Sequence, residues 1–329
     1  MKYFLSFCLM ITIAAGSLFA QGIQKPIQKI LLIPLDDRPP CLQFTQKIGL
    51  LAHAEVVAPP MDIIGQFMVP GQPEKISRWL DQQDLKSFDG AIISFDMLAF
   101  GGLVASRIHD VSLDVALKRM EIIKQIRKKA PKLRIYGQSV IMRLAPTGDG
   151  KNDAYRDKLA DWAEHSVSKE EKFKQRTAEL EKAIPAAALH DYKLSRKRNF
   201  AINMEAIDLV KNGTLDYLIL SQDDAKPLGI HVNEREDLKA KVKSLGLTKK
   251  ILVQPGADEI SMLLLARALS HPYKYAPKVK VYYSSEKMSN TVMPFDDQPL
   301  KVTVNFNILA AGAIEVQEEA KADLIFYVF

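Results

Sequence analysis

Residues Asp216–Gly229 read DYLILSQDDAKPLG, and the reading of this stretch decides the fold. Tyr217–Leu220 is an unbroken apolar run of strand length, the pattern of a strand buried on both faces. It gives way to Ser221-Gln222-Asp223-Asp224, then to Pro227 and Gly229, residue types that strand interiors disfavour. A buried strand therefore ends in two adjacent carboxylates. In open α/β sheets and in α/β barrels, ligands and catalytic groups gather at that end of the strand.

The same arrangement recurs on both sides of the stretch. Towards the N-terminus, Lys29–Leu35 (KILLIPL) is a strand that runs into Asp36-Asp37-Arg38-Pro39-Pro40. Glu55–Ala58 and Gly90–Phe95 are further strands, and Arg134–Met142 is a fourth that hands over to Arg143. Towards the C-terminus, Ile251–Gln254 ends in Pro255-Gly256-Ala257-Asp258-Glu259. Helical spacing separates these runs at Leu42–Leu51, at Glu74–Gln82, from the Ser112 cap to Ala130, and at Asn233–Ser244. Strand and helix in alternation predict an α/β fold of parallel β/α repeats, TIM-barrel-like or an open doubly wound sheet. The strand pattern is the same for both until closure.

Residues 153–212 carry charged helical sequence and no strand, so they predict a helical insertion within a main domain of residues 21–277. Insertions of this length cover a site or brace the fold, and the sequence leaves both open. Residues 278–329 predict the start of a second α/β unit. In it, Lys278–Tyr283 is a strand, Leu300–Ala311 a helix, and Ala313–Val316 and Asp323–Val328 two more strands.

A length of 329 residues suffices for one large α/β domain or for two with real cores. The formal charge of +6 is dispersed, and basic runs such as Arg127-Lys128-Lys129 and Lys193–Arg198 read as solvated helix faces. No aromatic-and-basic nucleic-acid module is present, so no nucleic-acid partner is expected. Residues 1–20 have the charged start, apolar middle and small-residue end of a signal peptide. The apolar part, Phe4–Ala15, falls short of the ~20 residues of a membrane span. Export to the periplasm or beyond is expected, with no membrane span after cleavage. Cleavage would remove Cys8 and leave Cys41 alone, without an internal disulfide partner.

Parallel strands place their C-terminal loops on one side. Those loops carry Asp36, Asp37 and Arg38; Asp96, the Gly101-Gly102 pair and Arg107; Arg143; Gln222, Asp223 and Asp224; and Asp258 and Glu259. Asp36-Asp37-Arg38 reads equally as part of a site or as a local ion pair that stiffens the turn. Arg107 and Arg143 read as ligand-binding groups or as the neutralising partners of buried carboxylates. His231 reads as a surface or helix-start histidine, and Cys41 mainly as packing.

Asp223 and Asp224 are the catalytic candidates, one carboxyl protonated to assist a leaving group while its neighbour stays ionised. That chemistry suits a substrate-assisted glycosidase acting on a carbohydrate, with Gln222 and the arginines binding its substituents. This reading needs no cofactor. Two others compete. Asp36, Asp96, Asp223, Asp258 and Glu259 could instead cage a divalent cation in a hydrolase or phosphatase. An exported sugar-binding protein would also use such a crevice, with Phe95 and Phe100 as its aromatic candidates.

The motifs LLIPLDDRPPC (Leu31–Cys41), SFDMLAFGGLVASR (Ser94–Arg107), LSQDDAKPLG (Leu220–Gly229) and PGADE (Pro255–Glu259) resemble the bacterial family named domain of unknown function 4127. The resemblance spans essentially the whole chain after residue 20 and implies no established activity. Family members generally continue well past the strand that matches Asp323–Val328. The resemblance therefore implies a C-terminally truncated chain.

Overall fold

Aliphatic runs without a polar face need cover on both sides, and a parallel sheet between helix layers provides it. The computed structural model describes residues 28–329; the expected signal segment, Cys8 included, lies outside the described residues. Six parallel strands form the larger sheet: β1 (Gln28–Ile33), β2 (Ala54–Val57), β3 (Gly90–Ser94), β4 (Arg134–Ile141), β5 (Tyr217–Gln222) and β6 (Ile251–Pro255). Their order is β2-β1-β3-β4-β5-β6. β2 and β6 are its two edges, so the sheet is open and the barrel alternative is set aside. Every residue of β3 and β5 is buried, as their unbroken apolar runs require.

The helices of the first half are α1 (Gln43–Leu51), α2 (Pro73–Asp81), α3 (Phe95–Phe100) and α4 (Leu113–Lys129). The insertion supplies α5 (Arg156–His165), α6 (Glu171–Ala183) and α7 (Ala186–Lys211), and after it come α8 (Ile230–Ser244) and α9 (Ile260–Ser270). From β1 the chain steps one way to β2, then returns past β1 to β3 and continues to β6. Right-handed crossovers in opposite directions put α1 on one face and α4, α7 and α8 on the other. α9 packs against α1 and against β3 and β4, completing the doubly wound arrangement.

The insertion is a brace. Its long helix α7 is the crossover between β4 and β5, and Ile202, Ala206, Ile207 and Val210 join the main core. The start of α7 closes a satellite core with α5 and α6, where Leu159, Trp162, Leu180 and Tyr192 meet Met142 and Leu144 just after β4.

A smaller parallel sheet follows, of β7 (Lys278–Tyr283), β8 (Ile314–Glu315) and β9 (Leu324–Val328) in the order β8-β7-β9, with α10 (Glu286–Asn290) and α11 (Leu300–Ala310). Its own core is small: Val279, Val281, Val304 and Ile308. α11 docks this unit on α9 and β6. Arg235 of α8 reaches Asp297, ahead of α11, at 2.5 Å, and both side chains are nearly inaccessible (6% and 4%).

Candidate functional site

The sheet order reverses at β1 and β3, where successive loops leave in opposite directions and open a crevice at the strand ends. A cavity of about 300 Å³ lies at those ends. It is lined by Arg38 after β1, Leu103, Val104 and Arg107 after α3, and Arg143 after β4. Asp223 and Asp224 after β5 and Gly256–Glu259 after β6 complete the floor and walls, with Phe67 and Phe295 added from other loops. β1 and β6 stand four strand steps apart, roughly 19 Å at about 4.8 Å per step. Even so, Arg38 after β1 forks onto Asp258 after β6 with two bonds of 2.7 Å. The loops after these strands thus arch together over β3, β4 and β5. Leu35, Cys41, Leu103, Val140 and Ala257 make an apolar bed beneath them.

Carboxylates and arginines in the crevice are paired one against another. Arg38 also grips Asp36 through Nε (2.9 Å) and Nη2 (2.7 Å), so one guanidinium joins the first and last loops. The local pair expected of Asp36-Asp37-Arg38 exists, and it extends across the site. Arg107 bonds Asp223 at 2.6 Å and Thr147 at 2.6 Å, and both charged groups are buried. Arg143 bonds Asp224 at 2.6 Å and the Ala145 carbonyl at 2.9 Å. The adjacent aspartates therefore face different arginines. Asp224 is the more open of the two and has a left-handed backbone (φ +40°), a conformation that costs about 1–3 kcal/mol outside glycine and collects at functional sites.

Glu259 and Asp258 are shaped differently. Glu259 folds back so that its carboxylate accepts the Ala257 N–H at 3.2 Å. Gly256 makes room for it at φ +110°, where an added Cβ would lie 2.0 Å from Glu259 Oε1. Burial pushes the Glu259 carboxyl above its ordinary value, with repulsion from Asp258 adding to it. Asp258 is raised by burial too, against the lowering effect of Arg38.

α7 fixes two of the arginine-bearing loops. Arg196 donates to the carbonyls of Met142 (3.0 Å) and Arg143 (2.8 Å), and so holds the end of β4. Arg198 and Asn199 both donate to the Ser106 carbonyl, next to Arg107. Arg196 and Arg198 are only 4% and 2% exposed, which overturns the solvated-face reading of the Lys193–Arg198 run at these two positions. No residue of the insertion lines the cavity.

Among the other expected site residues, Asp36, Asp96 and Gln222 are buried under the cavity and do not line it. Asp96 lies in the first turn of α3, which Ser94 caps, and accepts the Val140 N–H at 2.9 Å. Gln222 spends its amide on the Ile141 and Asp223 carbonyls. Asp37 does not line the cavity and donates its backbone N–H to the Gly65 carbonyl. His231 begins α8 as expected but is fully buried, taking the Lys226 N–H on Nε2 at 3.0 Å. Phe95 and Phe100 belong to the core.

The aromatics lining the crevice are Phe67 and Phe295, neither of them among the candidates the sequence pattern offers; both sit in turns, where apolar residues carry no periodic signal. Among the described residues, no three His, Cys, Asp or Glu side chains cluster as metal ligands, because the acids are spread along the arginines. Nor is any helix there long and apolar enough to cross a membrane.

A crevice of paired charges at the switch point of an open parallel sheet places the chain among the doubly wound α/β proteins. Within that class it belongs to the family described as "protein of unknown function" (DUF4127), whose sequence profile matches residues 30–329. The comparison with curated proteins found no match.

Proposed function

We propose that this protein is a carbohydrate-active hydrolase that cleaves a glycosidic bond in the crevice, and that it is exported to the periplasm or beyond. The observation that carries the reading is the sharing of one cavity by two kinds of carboxyl. Asp223 and Asp224 are ion-paired with arginines, whereas Glu259, lining the same cavity, pairs with no basic side chain among the described residues. It accepts the Ala257 N–H, and burial raises its carboxyl above the ordinary value. Glycoside cleavage needs both kinds, because a protonated carboxyl must donate to the departing oxygen while a carboxylate assists at the anomeric carbon.

In this reading Glu259 gives its proton to the leaving oxygen as the C–O bond breaks. Asp224, more open than its neighbour, takes a proton from the water that forms the new bond to the anomeric carbon. Where the substrate's own acetamido oxygen forms that bond first, Asp224 orients the acetamido group, and water then opens the resulting ring and returns a proton to Glu259. Asp223 holds Arg107, and Arg143 and Arg38 bind hydroxyl or acidic substituents. No step requires a cofactor. Export rests on the pattern of residues 1–20 alone.

The test is a panel of 4-nitrophenyl α- and β-glycosides, with and without chelator, on the wild type and on Asp224→Asn and Glu259→Gln. At least one glycoside should be cleaved, chelator should change nothing, and each variant should lose about 10²-fold or more in kcat. Cleavage of no glycoside would overturn the proposal, as would full activity in both variants. A chelator-sensitive activity would move the site to the divalent-cation reading.

A further inference from the structure

Two turns reach the cavity from outside the strand-end loops, and each carries a phenylalanine. Gln66 and Val69 bond to one another through both backbone groups, leaving Phe67 and Met68 at the tip of a tight turn. Phe295 sits in a second turn, closed by the Asp296 N–H on the Met293 carbonyl at 3.1 Å. Such tips favour glycine, asparagine and aspartate, because the backbone there turns left-handed. Here phenylalanines hold those conformations, at φ +42° and +65°. They are also exposed, at 53% and 76%, yet both line the cavity. A large apolar ring in solvent, on a backbone that disfavours it, gains nothing for the fold.

Both turns are anchored to the loops that hold the charges. The Gly65 carbonyl accepts the Asp37 N–H at 3.0 Å, and the Ala225 N–H donates to the Phe295 carbonyl at 2.9 Å. The phenylalanine positions are thereby tied to Arg38 on one side and to Asp223–Asp224 on the other. Asp297 ties the second turn again, through Arg235.

We infer that Phe67 and Phe295 form an aromatic subsite for a pyranose ring of an oligosaccharide substrate, the second α/β unit contributing one of its two walls. This rests on the carbohydrate reading of the same cavity. A pyranose has an apolar face of axial C–H bonds and an edge of hydroxyls. The phenyl rings receive the face, while Arg143 and Asp224 below receive the edge. Exposed rings at the rim of a polar floor match that division of surfaces.

The experiment uses the whole protein. The wild type is screened on an array of neutral and acidic oligosaccharides for binding, and on the same compounds for cleavage. Phe67→Ala, Phe295→Ala, Phe67→Trp and Phe295→Trp are then compared on the best compound, with circular dichroism as the check on folding. Each alanine variant should weaken binding or raise KM about tenfold. The loss in kcat should be smaller than the rise in KM, and the tryptophan variants should stay near wild type. Folded alanine variants with unchanged binding and KM overturn the subsite, even where cleavage shows the hydrolase reading to be right. Binding without cleavage, sensitive to the alanine changes, supports the subsite and sinks the hydrolase reading. A wild type that neither binds nor cleaves any oligosaccharide overturns both.

Discussion

Asp96 shows how much a single buried carboxyl can weigh on this fold. It is 2% exposed, and burial is the main reason its carboxyl is pushed up to about 7; Asp223 adds to the rise, and the Val140 N–H opposes it. The folded protein keeps a proton on Asp96 that the unfolded chain releases near the usual aspartate value of about 3.9. Stability from this group is therefore full below about pH 4 and is lost as the pH rises through about 7. His231 has the opposite sign. Burial first, then Arg196 and Arg235, lower it to about 3. Its contribution is present above the unfolded value of about 6.5 and is lost as the pH falls through about 3. The Asp96→Asn variant isolates the first effect. Wild-type melting temperature minus that of the variant should fall between about pH 4 and pH 7, a difference from which the His231 contribution, common to both proteins, cancels. Parallel curves for the two proteins would show that Asp96 does not titrate there.

At the scale of elements, the tether between α8 and the second unit carries a clear cost. Arg235 and Asp297 are buried together, but Arg235 Nε and Nη1 and Asp297 Oδ1 have no hydrogen-bond partner among the described residues. Removing one charge of a buried pair strands the other, typically at about 3–5 kcal/mol. Asp297→Asn should therefore destabilise the protein by about that amount in urea or thermal unfolding. It should also loosen the Phe295 turn and raise KM on any substrate that the wild type accepts. A loss under about 1 kcal/mol with KM unchanged would mean that α11 alone docks the unit. The strands and most helices were legible in the sequence because apolar runs and helical spacing are local signals. The arginines of α7 were not, because a buried arginine that binds carbonyls has the same one-letter signal as a solvated one. Only the position of α7 against β4 separates the two cases. Phe67 and Phe295 escaped for a related reason, since a turn tip has no period to read. The strand-end rule did bring Arg38, Arg107, Arg143, Asp223, Asp224, Asp258 and Glu259 together. It could not tell which acids line the cavity and which lie beneath it, because that depends on how far each loop arches.

Across the whole molecule, cover is uneven, and the site stands on the best-covered part. β3, β4 and β5 each have strand neighbours on both sides and helices on both faces, with nearly every residue buried. The loops that hold Arg107, Arg143, Asp223 and Asp224 leave directly from this block, so the charged groups inherit its rigidity. The smaller sheet is different. Among the described residues β9 pairs only with β7, and Leu324, Phe326 and Tyr327 are about half exposed. Amides that depend on one neighbour and little burial open at low local cost, while those of a doubly covered central strand open only with global unfolding. Native-state hydrogen exchange should therefore be slowest in β3, β4 and β5 and fastest, among the strands, in β8 and β9. The Ala225 amide lies between these limits. It leaves from the rigid block, but its acceptor is the Phe295 carbonyl on the less covered side. Its protection should follow the docking of the second unit, dropping in Asp297→Asn while β5 is unchanged. Equal protection across the two sheets would contradict this division. Loss of protection in β5 together with Ala225 would mean that the two sheets open as one cooperative unit, with the site strained from both sides at once.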